Sequence, residues 1–131
     1  MKTLAAIMIA GALGAAARYG VDTVVSSRTG TTFPWGILVV NFTAAALLGL
    51  VVGMTAHWAG LGPSARLGIT TGFIGSYSTF STLMLDSVRM LERGQTLAGT
   101  VNLAASVGLG LAAVVLGLAL GRALAPEGSP I

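Results

Sequence analysis

Four long apolar runs, at about residues 4–25, 35–56, 67–91 and 97–120, constrain this chain more than anything else in it. Each is near the roughly 20 residues that a helix needs to cross a bilayer core of about 30 Å. Trp35 and Trp58 bracket the second run, at the depth where indoles gather at a membrane surface. Turn-forming residues fill the connections, "SSRTGTTFP", "HWAGLGPSA" and "ERGQT". Charge agrees with lipid as the solvent. Only 8% of the 131 residues are charged, against the roughly 25–35% expected on a soluble surface. The reading is a single all-α membrane domain over residues 1–125, with a short flexible tail at 126–131.

Other classes fall away on the same grounds. With no cysteine, there is no disulfide, thiolate metal site or cysteine nucleophile. The net charge of +3 comes from Lys2, Arg18, Arg28, Arg66, Arg89, Arg93 and Arg122, spread singly along the chain, so no nucleic-acid footprint forms. His57, the only histidine, stands beside Trp58 at a span end, where an aromatic-belt bystander is the expectation. "GLGLAA" from Gly108 imitates a dinucleotide fingerprint but follows no strand. No catalytic constellation is present, and an enzyme is not expected. The first 20 residues also read as a secretory signal peptide, but the four-span plan favours keeping them as a span.

Four spans place Lys2, Arg66 and Arg122 on one side of the membrane and Arg28, Arg89 and Arg93 on the other. Lys/Arg asymmetry sets orientation, and three against three sets none. Such a chain is expected to insert both ways and to pair as an antiparallel two-fold dimer. The glycine pairs Gly49/Gly53, Gly68/Gly72 and Gly117/Gly121 are spaced i, i+4 and predict close helix packing on three spans.

Polar residues inside the runs need partners or a pathway. The inward candidates are Arg18, Asn41, Thr43, the cluster from Ser76 to Thr82, Asp86, Asn102 and Ser106. In "TGFIGSYSTFSTL" (71–83), six Ser and Thr residues accompany two glycines. Their hydroxyls compete for backbone groups, and a helix break is expected at about 75–79, with a continuous, back-bonded helix as the alternative. Freed carbonyls there could hold a small cation on the dimer axis. Asn41, the hydroxyls, and Asn102 and Ser106 (i, i+4 on one face) supply donors, while the carboxylates stay near span ends. Phe80 adds an electropositive ring edge. Donors without buried negative charge suit an anion, and so many short donors suit a small, strongly hydrated one such as fluoride.

"GFIGSYSTFST" from Gly72 resembles the "GFxGxxTTFSTF" signature of the CrcB (Fluc) fluoride channel family. The likeness extends to "GAAARYG" around Arg18, "VNFTAAALLG" around Asn41 and "NLAASVGLGL" from Asn102. It implies a dual-topology dimer in the inner (plasma) membrane, with fluoride pathways and a structural sodium ion at the two-fold. By position, the backbone carbonyls of Gly75 and Ser78 correspond to the Na+ ligands. Asn41, Phe80, Ser81, Thr82, Asn102 and Ser106 correspond to the fluoride pathway, and Arg18 and Asp86 to the vestibule. No organic cofactor is implied. The implied partners are fluoride, membrane lipid, and a second antiparallel copy or a homologous subunit.

Leu83 departs from the pattern, because it stands where the family carries a second phenylalanine. Either a homodimer conducts with one ring per subunit, or a homologous partner supplies the missing one. Two rivals stand beside the channel: a small dual-topology exporter of cationic compounds, which needs a carboxylate deep in the bundle, and a non-conducting structural subunit.

Overall fold

The computed structural model describes residues 1–55 and 60–125. The expectations for His57, for Trp58 and for the tail at 126–131 lie outside them. Every regular element among the described residues is a helix, with no strand among them. Helix α1 spans Lys2–Thr29, α2 spans Trp35–Thr55, and a half-helix, α3, covers residues 63–77. A second half-helix, α4, spans Phe80–Glu92, and α5 spans Thr96–Leu124. Helices α1, α2 and α5 are each long and apolar enough to cross a membrane. The fourth expected crossing, 67–91, is the end-to-end pair α3 and α4.

Within α3 the winding changes. Pro63 opens it in the first turn, where its missing N–H costs nothing. Residues Gly68–Ile74 are wound as a π-helix and Gly75–Tyr77 return to α. The sequence gives no hint of this winding, which recurs at functional sites. The break is narrower than expected. Gly75 is helical (φ −64°, ψ −33°), and only Ser78 (φ −74°, ψ 157°) and Thr79 (φ −150°, ψ 114°) are extended. The conformational freedom of Gly72 is not used for the break. A methyl on Gly72 would stand 2.8 Å from the Ile7 carbonyl oxygen, so its bareness serves the approach of α1.

Glycine sets the packing elsewhere too. Gly49 of α2 lies against Val114 and Leu118 of α5, Gly117 of α5 against Ala46 and Leu50 of α2, and the Gly53 and Gly121 backbones meet. A methyl on Gly49 would overlap the carbonyl of Val114, and one on Gly117 that of Ala46. Gly68 faces Ala6 of α1, and Gly14 presses on the Phe73 backbone. All three sequence-predicted glycine pairs therefore sit at helix contacts, as small residues do where no hydrophobic force separates helix from lipid. Thr3 meets Ser64 and Arg18 meets Ser78, so α1 runs parallel to α3; Ala46 meets Gly117 and Leu50 meets Gly121, so α2 runs parallel to α5. A small core of Val40, Ala44, Ile74 and Tyr77 joins the two pairs. Long apolar side chains such as Leu111, Leu116 and Leu124 point outward, as a lipid-facing surface requires.

Candidate functional site

The break at Ser78–Thr79 is closed by a side chain from another helix. Asn41 of α2 accepts a hydrogen bond from the Thr79 N–H (2.8 Å) and donates its amide to the Thr79 carbonyl (3.1 Å). One side chain thus satisfies both backbone groups that an extended residue leaves open. In a continuous helix the Thr79 N–H would bond the Gly75 carbonyl. Its diversion to Asn41 removes that partner, and Gly75 is exposed.

Thr79 then starts the next helix. Its hydroxyl oxygen accepts from the Thr82 N–H (3.3 Å) and lies within 3.0 Å of the Thr82 hydroxyl and 3.3 Å of the Ser81 hydroxyl. This is an N-cap in the interior of the chain's membrane-spanning region, and α4 directs its positive dipole end toward it. The Arg18 guanidinium reaches the Ser78 carbonyl at 3.5 Å. Ser78 turns its own hydroxyl back onto Ile74 (3.2 Å). Tyr77 is buried and shares a 2.9 Å hydrogen bond with Thr43.

Beside the break lies a cavity of about 330 Å³ whose polar lining is Asn41, Ser78 and Ser106, with Phe80 and Leu83 on the α4 side. The Ser106 hydroxyl is buried and has no hydrogen-bond partner among the described residues. No carboxylate lines this cavity. Phe80 is 74% exposed and so presents its ring at the open side. Leu83 is buried.

A second cavity, of about 290 Å³, lies where α1 and α4 end and α2 begins. It gathers Asp22, Asp86, Arg89 and Arg93, with hydroxyls from Ser26, Thr32 and Thr82. Ser26 donates to the Asp22 carboxylate at 3.1 Å. Both carboxylates thus lie in the second cavity beside donors of their own, and neither lines the first.

Of the sequence-predicted pathway residues, Asn41, Phe80 and Ser106 meet at the first cavity, and Ser81 and Thr82 gather at the cap of α4. Asn102 is absent from that lining: it is fully buried against Ser87. Gly75 and Ser78 flank the break, Arg18 stands at it, and Asp86 lies in the second cavity. Thr79 lay inside the expected break, but its part as pivot and cap was not expected, and only its Ser/Thr identity before a helical run could have marked it. Ser87 was passed over and carries no sequence signal, since a lone serine in an apolar helix is common.

Residues 5–118 match the family described as "CrcB-like protein, Camphor Resistance (CrcB)". The chain is 45% identical to the "Fluoride-specific ion channel FluC" of Rhizobium meliloti over 114 residues, 87% of this chain and 91% of that one. It is 42% identical to the protein of the same description from Rhizobium johnstonii over 122 residues, 92% and 98% of the two chains. It is also 45% identical to "Fluoride-specific ion channel FluC 1" of Symbiobacterium thermophilum over 116 residues, 88% and 94%.

Proposed function

We propose, since the chain belongs to the CrcB family, that it is a fluoride-selective channel through which fluoride leaves the cell passively and its toxicity is relieved. Such an activity forms no covalent bond, and the chain is not read as an enzyme. The observation that carries the reading is the donor set at the helix break. The Ser106 hydroxyl is buried without a partner among the described residues, and Asn41, with two amide hydrogens, uses one on Thr79. The Phe80 side chain lines the same cavity. An ion that loses water here needs short, strong donors, and the nearest carboxylates are held in a separate cavity.

The working unit is an antiparallel dimer, with the second copy inserted in the opposite sense. A structural sodium ion at its two-fold fits the donors present. The Gly75 carbonyl has lost its helical partner, and the extended Ser78 carbonyl meets Arg18 at 3.5 Å. Backbone oxygens of this kind suit a hard cation. When bound, that ion supplies positive charge that offsets the carbonyl dipoles of both copies. Ser81, Thr82 and Asn102 complete the family-derived pathway, with Arg18 and Asp86 as its charged approaches.

Reconstitution of this chain alone in liposomes, with fluoride and chloride efflux measured separately, tests the reading. Fluoride efflux with little chloride efflux is expected. Equal permeability overturns the selectivity. No fluoride efflux alone, restored by co-expressing a homologue, favours the heterodimer that Leu83 suggests. Proton-coupled uptake of a cationic dye, lost on Asp22→Asn or Asp86→Asn, would favour the exporter.

A further inference from the structure

We infer that Asn102 and Ser87 form a positioning couple that sets the depth and rotation of α4, so that Asn102 acts on the pathway through Ser87 and Leu83 instead of touching the ion. Both residues are almost wholly buried, at 0% and 1% exposure. The Asn102 amide donates to the Ser87 hydroxyl oxygen at 2.9 Å. The Ser87 hydroxyl donates in turn to the Leu83 carbonyl at 2.7 Å. With the amide nitrogen facing Ser87, Asn102 donates and Ser87 passes its own hydrogen on to Leu83, so each bond polarises the next.

Geometry carries the relay to the cavity. Helices α4 and α5 run antiparallel, so Ser87 and Asn102 make one rung, and the residues four back and four on, Leu83 and Ser106, make the next. That next rung lines the first cavity, whereas the Asn102 rung does not. Contact at the lower rung is tight. A methyl on Gly99, nearly one turn before Asn102, would stand 3.0 Å from the Ser87 carbonyl oxygen. A serine bonded to the carbonyl four residues back often bends its helix, and here that bond joins Ser87 to Leu83. In apolar surroundings the couple has no water to replace it. Sliding or rotating α4 would break it, and the same movement would shift Phe80 and Leu83.

The inference rests on the fluoride-channel reading, so the test has two readouts. The first is fluoride efflux from liposomes for Ser87→Ala, Asn102→Leu and the double variant. Each single change is expected to slow efflux by roughly tenfold and the double no further, because both act through one link. Ser87→Thr, which keeps the hydroxyl, is expected to restore the parent rate. The second uses the absence of cysteine from the chain. In a Leu83→Cys background the rate of N-ethylmaleimide labelling reports the position of α4, and each single change is expected to alter it at least severalfold, the double no further. Additive slowing, as from an Asn102 that contacts the ion itself, overturns the inference, as do parental labelling rates in both singles. A parent chain that passes no fluoride defeats the channel reading, while labelling still decides the couple.

Discussion

Asn41 commits one amide to both backbone groups of Thr79, and that doubling makes it the residue with most to lose. Asn41→Ala leaves an N–H and a carbonyl unpaired inside the bundle, each costing about 1–3 kcal/mol. A thermal melt of the purified variant is expected to show that loss, and liposome assays are expected to show fluoride efflux near background. Asn41→Asp separates the two roles: its carboxylate still accepts from Thr79 but puts negative charge at the cavity, so efflux should fail even where folding survives. The sequence marks Asn41 as a donor in an apolar stretch. It could not name the acceptor, because Thr79 lies 38 residues away and nothing local links them. Leu83 stood out in the sequence through its departure from a pattern, and in the fold it is buried at the cavity wall. Leu83→Phe restores a ring edge worth about 1 kcal/mol, so efflux should rise by up to roughly fivefold. An intact dimer with an unchanged or lower rate would show that the ring is not missed.

At the level of helices, the glycine seams decide which elements lie together. Gly49→Ala and Gly117→Ala each push a methyl into a facing carbonyl of α5 or α2. Overpacking of this kind costs about 1–3 kcal/mol, read as a lower melting temperature. Gly108→Ala is the contrast: no atom lies within 4 Å of the added methyl, and the gain in helix propensity, up to about 1 kcal/mol, should leave the melt unchanged or raise it. The seams were legible because spacing alone places i, i+4 glycines on one face. The break was legible only approximately. Glycine and serine content pointed to 75–79, but tertiary partners decide where it falls. Gly75 keeps its helical dihedrals, and the interruption settles where Asn41 and the Thr79 cap replace the lost ladder. The π-wound turn from Gly68 was not legible at all, since no residue type specifies it.

For the molecule as a whole, the even division of Lys and Arg predicts both orientations in one membrane. Three lysines added before Met1 should bias insertion one way, so a variant expressed alone should lose most of its fluoride efflux. Co-expression with an oppositely biased variant should restore it. Restored flux is the signature of an antiparallel pair, and undiminished flux from the biased chain alone would exclude one. The proposed sodium ion makes a separate forecast: the melting temperature should climb with Na+ and not with equal K+, as binding to the folded state alone requires. Four spans and their balance were readable from charge and hydropathy; the pairing of each span with the next but one was not, because connection lengths allow several arrangements.

That pairing bears on how the protein is made. Synthesis runs from the N-terminus, so α2 enters the bilayer with Asn41 before the interrupted span has left the ribosome. When Thr79 arrives, the amide that completes its backbone is already waiting in the membrane. The most costly stretch of the chain to insert therefore arrives with its partner in place, and reversing the order of these two spans would remove that shelter.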